Sequence, residues 1–528
     1  MTDTEDYPLK RELLLCLIPF FAWSLLLYVF LSGSTGLVGT DDYFHITVSE
    51  KLSSNGLFMK SFPWTTTSLW TDHYFDKEWL FHVLMVPLLS LGKLTAAKFA
   101  VYLFNICCLS AAIYFLCSRK VRCIWLWVLF IPLVSHGFFF YRMLMCRPHV
   151  FSLAILILCL AFIIQRKHIA LGIAAMIYAL SYTGHWQLPA ICFLFDMFYF
   201  FLDEDGKRRE KYPRFLPLTV IAIAGIAVGE LIHPNFPDNV RGFWIQNVMV
   251  LKSYWNNQHP LATMRPVELN PISLSKFVFT FATLLVVSLS AGIYAWQKKL
   301  RLNRADLFMM ACSATYLVLC CRSFRFIEYA TPVYVLTLAM IVCKADIMDL
   351  LSRKRLIVIA AIAVFIIMES PGLLVTYSRI ASNDAKLKNL SYAADAGDYI
   401  SKNLEPGDVV FTRKWSTGPY VFFQAPDQYY LNFLDPYFMY VYDPEKLKLW
   451  QEIKGGTHPD PATAAQEQFS AKAIFISNES IDYGRDVGMS VLESNLRKTI
   501  GAPYISKQGH KVWLLNKVRT KTGTDTGN

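Results

Sequence analysis

Asp41 and Asp42 stand side by side in the stretch Gly39-Thr40-Asp41-Asp42-Tyr43-Phe44-His45, directly after the first membrane-length apolar run of the chain. A positioned carboxylate can take the proton of an attacking nucleophile, and a pair of them can hold a cation. Both uses place chemistry at a membrane face. Where later apolar runs end, residues of functional type recur: Arg142 and Arg147, then His185 and Trp186, then His233, Arg265 and Glu268, and finally Arg322 and Arg325. Guanidinium matches phosphate oxygens with two parallel hydrogen bonds, so the five arginines together suggest a phosphate held at the membrane surface. For any single arginine the competing reading is headgroup contact or an ion pair with Glu230, Glu268 or Glu328.

The elements that must position these residues are membrane helices. Of 528 residues 54% are hydrophobic and 15% aromatic, and the mean hydropathy is +0.35. Apolar runs of spanning length recur as far as Tyr377, which makes this a polytopic α-helical membrane protein. The formal charge of +11 would suggest nucleic acid in a soluble chain. Here the Lys and Arg residues fall in short loops between apolar runs, where they encode orientation, and nucleic-acid binding is set aside.

With Lys10 and Arg11 cytoplasmic, the pattern predicts spans at Leu13–Leu31, Ala96–Cys117, Cys123–Tyr141, His149–Ile164, Ile169–Thr183, Leu188–Leu202, Phe215–Ile232, Leu274–Trp296, Leu307–Cys321, Phe326–Cys343 and Leu356–Tyr377. That is about eleven spans, against the roughly twenty residues a bilayer requires, and the two short ones within Ile169–Leu202 could be one broken hairpin. The run Trp79–Gly92 is shorter and reads as lying along the outer face or dipping in. This choice puts Ser118–Arg122, Gln165–His168, Lys207–Arg214, Gln297–Arg304 and Ser352–Arg355, all basic, on one side. The expected organisation is a transmembrane domain over 1–377 with a first external loop over 33–95, an extracytoplasmic α/β domain over 378–519, and a disordered tail over 520–528. Strands are expected at Asp408–Phe411 and Ala473–Ile476, and helices at Ala393–Leu404 and Val491–Thr499. All twelve cysteines lie between Cys16 and Cys343; their spacing suggests neither zinc nor a disulfide framework. With no external cysteine and no retention signal, the expected location is a bacterial inner (plasma) membrane.

Asp41 also has a purely structural reading. Thr40 or Asp41 would cap an interfacial helix whose Phe44, Val48 and Leu52 lie on the membrane and which Gly56 ends. His45 and His73 are further ligand types near the aspartates, but no ligand spacing supports a metal site. No cofactor is required by the pattern, and a divalent cation, Mg or Mn, on Asp41 and Asp42 stays open.

The stretch GTDDYFHITVSEKLSSNGLFMKSFPWT followed by DKEWLFHVLMVPL resembles the first external loop of GT-C class glycosyltransferases. These lipid-linked sugar transferases include oligosaccharyltransferase catalytic subunits and protein mannosyltransferases, and the resemblance extends over most of the chain. It implies that Asp41, ahead of Tyr43-Phe44, is the catalytic base, with Asp42 beside it. Arg142, Arg147, Arg265, Arg322 and Arg325 would bind the donor phosphate; His45, His73, His82, His185, Trp186, His233 and Glu268 would hold sugar or acceptor. Tyr141–His149 lacks an acidic pair and residues 378–528 lack a Trp-Trp-Asp motif, so the likeness points to the branch that moves a single sugar from polyprenyl phosphate. The implied partners are that lipid-linked sugar and a lipid, glycan or protein acceptor. Two alternatives stand beside this reading: an O-antigen-type polymerase or ligase using a lipid pyrophosphate, and a non-enzymatic transporter or scaffold of envelope polysaccharide assembly.

Overall fold

The computed structural model describes residues 9–201, 216–345, 355–386, 393–478 and 487–515, apart from Asn257, Pro260, Ala262, Thr263 and Arg265. The basic cluster at 207–214 and the tail at 520–528 lie outside the described residues. In chain order the longer helices are α1 (Leu17–Ser32), α2 (Thr40–Asn55), α3 (Lys93–Ser118), α4 (Pro148–Gln165), α5 (His168–Ser181), α6 (Gln187–Phe201), α7 (Pro217–Ile232), α8 (Leu274–Gln297), α9 (Arg304–Arg322), α10 (Ile327–Lys344) and α11 (Arg355–Lys386). The chain divides into two units. One comprises Met1–Ser34, Lys77–Phe236 and Arg265–Ser382; the other comprises Thr35–Asp76, Pro237–Met264 and Asn383–Asn528. The second unit therefore takes in part of the first loop and a segment after α7, where the sequence predicts a division at residue 378.

The first unit is the membrane unit. Among the described residues seven helices are long and apolar enough to cross a bilayer: Leu9–Ser32, Lys93–Ser118, Pro148–Gln165, Leu274–Gln297, Arg304–Arg322, Phe324–Lys344 and Ala363–Ala381. The other expected spans are shorter. At 1.5 Å per residue, α5, α6 and α7 reach roughly 21–24 Å against about 30 Å of hydrocarbon. Cys123–Tyr141 is not one helix but two, Ile124–Leu133 and Phe138–Met143. The break is at Ser135, His136 and Gly137, with φ of 71°, 48° and 71°. Three successive left-handed residues are costly and persist only where their surroundings fix them. Here the Glu369 carboxylate accepts the His136 N–H at 2.7 Å, and the Ser135 and Thr331 hydroxyls pair at 2.9 Å. The 79–91 segment is a short helix, Trp79–Met85, continued by a 3-10 turn over Val86–Leu91.

Small residues and a few buried polar groups lock the helices. A Cβ on Gly225 of α7 would come within 2.4 Å of the Gly172 carbonyl oxygen on α5, and one on Gly229 within 2.8 Å of the Met176 oxygen. This Gly-x-x-x-Gly spacing lets two backbones touch where lipid supplies no hydrophobic drive. Asn105 on α3 accepts the Trp23 indole N–H at 3.1 Å and donates to the Met143 carbonyl at 2.9 Å, tying α1 and α3 to the turn that carries Arg142. Asp196, the acidic residue inside the α6 run, accepts the backbone N–H and hydroxyl of Thr219 at 3.0 and 2.7 Å and so serves the start of α7.

The second unit holds a five-stranded sheet of order β2-β1-β3-β5-β4. The strands are β1 (Val409–Thr412), β2 (Tyr429–Tyr430), β3 (Ala471–Ile476), β4 (Tyr504–Ile505) and β5 (Lys511–Leu514). β1 is parallel to β2 and β3, whereas β5 runs antiparallel to β3 and β4. Helices Ala394–Asn403 and Val487–Thr499 confirm the expected α/β character. The loop segment joins this unit through backbone bonds from Thr66 to Tyr430 and from Thr67 to Leu431, 2.8 and 2.9 Å, and through Lys51 and Asp427, 3.1 Å apart.

Candidate functional site

Helix α2 begins at Thr40, with Gly39 as its N-cap, and ends against Gly56 at φ 97°. Thr40 and Asp41 are therefore the first helical residues rather than caps. Asp42 reaches back and accepts the Gly39 N–H at 2.9 Å; it is 1% exposed. A carboxylate in the first turn also faces the positive end of the helix dipole. Asp42 is thus committed to starting the helix, while Asp41 is half-exposed. Phe44, Val48 and Leu52 do not lie on a membrane. They are buried within their own unit, Phe44 against Phe422, Phe433 and Trp70, because that apolar face finds a protein partner first. His45 is buried on the same helix, and His73 bonds Asp238 at 3.1 Å across the unit.

The membrane unit gathers the other charges at one end of its helices. Arg142, from the second half of the broken span, directs Nε at the Glu328 carboxylate at 2.6 Å and Nη1 at Glu268 at 2.6 Å; its Nη2 also bonds Glu328. Arg325 lies 3.4 Å from Glu268 through Nη1 and donates from Nη2 to the Tyr182 hydroxyl at 2.9 Å. The segment carrying Glu268 is stitched to the α9–α10 turn. Ser323 Oγ donates to the Glu268 carbonyl, Ile272 N to Cys321 O, and Phe324 N to Asn270 O. Glu328 is 1% exposed and Arg142 8%, whereas the Glu268 and Arg325 side chains keep 29% and 36% of their surface open. The cluster therefore has a sealed inner half and an accessible outer half.

Its electrostatics follow from this layout. Burial would push the Arg142 guanidinium down, but Glu328 and Glu268 hold it above its ordinary range. Burial would likewise raise the Glu268 carboxyl, and Arg142, Arg325 and Arg147 hold it well below the usual carboxylate range. Arg147 is the N-cap of α4, next to buried His149, whose Nε2 meets the Arg142 carbonyl at 3.0 Å. Three guanidinium groups thus bear on the carboxylates of this cluster.

Beside it, His185 sits between the Tyr182 carbonyl, 3.0 Å from Nδ1, and Glu230, 3.4 Å from Nε2. Both ring nitrogens face oxygen acceptors, a geometry that favours two ring protons, while burial pulls the imidazole down to about 4. Trp186 is 40% exposed. His82 and His233 are buried, the latter edge-on to Trp79 with ring centroids 6.1 Å apart. Arg322 is exposed and takes no part in the network. Arg265 lies outside the described residues.

Among the sequence-expected residues, Arg142, Arg147, Arg325 and Glu268 thus come together, with His185 as neighbour through Tyr182. Asp41, Asp42, His45 and His73 belong to the other unit. Tyr182 and His149 are contributors that the residue pattern did not single out; the only signal was their place at helix ends beside Gly184-His185 and Arg147. Lys276 is another, exposed with Nζ 4.0 Å over the Phe324 ring and 5.3 Å over Phe138. Among the described residues no three His, Cys, Asp or Glu side chains gather as ligands for a metal ion.

No protein-family model matches the chain, and no curated protein matches its sequence. Solved structures match its fold. The archaeal oligosaccharyltransferase AglB from Archaeoglobus fulgidus, in complex with an inhibitory peptide and a dolichol-phosphate, matches at TM-score 0.61 and 12% identity over 98% of this chain and 75% of that one. ArnT from Cupriavidus metallidurans, bound to undecaprenyl phosphate, matches at TM-score 0.56 and 14% identity over 94% of this chain and 98% of that one. Both are GT-C glycosyltransferases, and the chain shares their fold.

Proposed function

We propose that this multi-pass protein moves a sugar from a polyprenyl-phosphate donor to an acceptor at the extracytoplasmic face of the cytoplasmic membrane, with inversion. One observation carries the reading. On a fold shared with proteins whose structures hold dolichol-phosphate and undecaprenyl phosphate, the membrane unit keeps three guanidinium groups against two carboxylates at its helix ends. An anionic leaving group is the natural further partner of that cluster.

The roles follow from accessibility. Arg142 is spent on Glu328 and Glu268, so it is a positioning residue that fixes Glu268 and, through it, Arg325. Arg325 and Arg147, with exposed Lys276 at the rim, would take the phosphate oxygens as negative charge grows on them. The acceptor O–H or N–H attacks the anomeric carbon, the bond from that carbon to the phosphate oxygen breaks, and polyprenyl phosphate leaves with the electron pair. Asp41 takes the acceptor proton; Asp42, tied to the cap, sets the direction of the helix that presents it. Glu268, His185 and Trp186 would bind sugar or acceptor hydroxyls, and no divalent cation is needed for these steps.

The test is transfer from labelled polyprenyl-phosphate sugar in liposomes holding the full chain. Asp41→Asn should lower turnover by at least about 100-fold, the lower end for losing a positioned base, with unfolding unchanged. Undiminished transfer would remove Asp41 from the mechanism. Transfer only from a lipid pyrophosphate would favour a polymerase or ligase, and EDTA sensitivity would place a cation on the aspartates.

A further inference from the structure

At the end of the membrane unit away from the charge cluster, α8, α9 and α10 enclose a cavity of about 820 Å³. Its place is set by the helices themselves. Glu268 and the α9–α10 turn adjoin the start of α8, and the cavity is lined from Ser288 to Leu302 at the other end, where α8 turns into α9. Along α8 those two ends are roughly 36 Å apart at 1.5 Å per residue. The lined part of α8, Ser288–Gln297, covers roughly 15 Å, close to one leaflet of a bilayer whose core is about 30 Å thick.

The wall is apolar where it lies deep and basic at its mouth. Ala291, Leu317, Leu338 and Ile341 line the inner part, with Gly292 and Ala295 towards the open side. Its hydroxyls are satisfied in pairs, Ser288 with Tyr334 at 2.6 Å and Ser313 with Thr337 at 2.7 Å, and so make no demand for water. Trp296, 81% exposed, stands at the rim, where an indole suits the membrane–water boundary. Lys298, Lys299 and Arg301 follow it, all exposed, and none makes an ion pair among the described residues. A Cβ built on Gly292 meets no atom within 4 Å, so the helix face there borders open space rather than a neighbouring helix.

We propose that this cavity binds one anionic phospholipid of the leaflet bordering the 298–301 turn. One acyl chain fills the groove along Gly292 and Ala295, and the headgroup phosphate rests on Lys298, Lys299 and Arg301. The commitment to a phospholipid comes from the pairing of an acyl-length apolar slot with a cationic mouth. A polyprenyl donor held by the arginine cluster would have its phosphate at the opposite end. This site stands independently of the transfer reaction.

The experiment is native mass spectrometry of the detergent-purified full chain titrated with phosphatidylglycerol or phosphatidylcholine of identical acyl chains. Three basic residues near the headgroup, partly screened, should favour phosphatidylglycerol at least about tenfold. Gly292→Phe puts a ring into the open space and should cut phosphatidylglycerol retention about fivefold or more while leaving sugar transfer and unfolding unchanged. The triple substitution Lys298→Glu, Lys299→Glu and Arg301→Glu lies on an exposed turn and should reduce phosphatidylglycerol to the phosphatidylcholine level. Equal retention of the two lipids by the native chain overturns the proposal. So does native-level binding by both variants, displacement of phosphatidylglycerol by polyprenyl phosphate at equal concentration, or a dimer that Gly292→Phe abolishes.

Discussion

Arg142→Met is the perturbation that tests the charge network most directly. Methionine keeps most of the side-chain volume and removes three bonds at once: two to Glu328 and one, of 2.6 Å, to Glu268. Glu268 keeps Arg325 at 3.4 Å and 29% of its surface, so it loses little. Glu328, 1% exposed, is left as a buried carboxylate with its main partner gone. Removing one member of a buried pair costs about 3–5 kcal/mol, mostly from the charge left behind. Glu328→Gln is expected to be milder, about 1–3 kcal/mol, because Arg142 retains Glu268. In the double variant Met faces a neutral amide and no stranded charge remains. It should be more stable than Arg142→Met alone by roughly 2 kcal/mol, because the stranded charge makes up most of that variant's cost. Equilibrium unfolding of the four proteins in mixed micelles, followed by tryptophan fluorescence, gives the cycle. The reasoning fails if Arg142→Met unfolds within about 1 kcal/mol of the native chain, or if the two single effects simply add to within about 0.5 kcal/mol.

Other expectations are cheaper to check. Asp42→Ala should cost about 1 kcal/mol of stability through the lost cap bond and lower transfer far less than Asp41→Asn, as comparing thermal unfolding with turnover would show. His510, fully buried, accepts the Asn478 N–H on Nδ1 at 2.9 Å, and burial holds its imidazole at about 4. Because that folded value lies below the ordinary 6.5, the unfolded chain binds the extra proton. The stability is present above pH 6.5 and is lost as pH falls towards 4, by on the order of 3 kcal/mol. His510→Gln, measured by unfolding across that window, should flatten the dependence. Gly225→Val forces a side chain into the α5 backbone at the 2.4 Å approach and should destabilise the membrane unit by about 1–3 kcal/mol, whereas Gly292→Ala, facing open space, should not.

What the sequence made legible was what short-range chemistry encodes. The stop of α2 could be read because Gly56 acts within a turn of the chain, and its start was placed one or two residues late, at Thr40 or Asp41 where Gly39 is the cap. β1 and β3 could be read from runs of β-branched and aromatic residues. The face of α2 was also visible as a period, in Phe44, Val48 and Leu52, but a period does not say what covers it. Phe422 and Phe433, almost four hundred residues later, had a better claim than lipid. The break in the third span was hidden for a related reason. Ser135 and His136 carry no helix-stopping signal of their own, and the left-handed turn exists because Glu369 and Thr331 are there to bind it. Likewise Arg142 and Glu328 are 186 residues apart in sequence. The types of both could be noticed, but their pairing depends on helix packing that no local pattern carries.

The competing readings of the arginines, ion pair or phosphate ligand, carry different weight at different residues. Arg142 has its guanidinium edges occupied by carboxylates and is almost sealed from solvent, so a phosphate approaching it would have to displace Glu268 and leave Glu328 half satisfied. Arg325 is held by one longer contact to Glu268 and one bond to a neutral tyrosine, with a third of its side chain open. Exchanging a 3.4 Å ion pair for a bidentate phosphate would free Glu268 Oε1 at little cost while Oε2 stays on Arg142. The same acid can therefore neutralise Arg325 while the cluster is empty and turn to a hydroxyl when the donor arrives. Under the proposed function, a cation that binds and releases an anionic lipid on every cycle is better served by such a replaceable partner than by none, since an unpaired buried guanidinium would cost stability between turnovers.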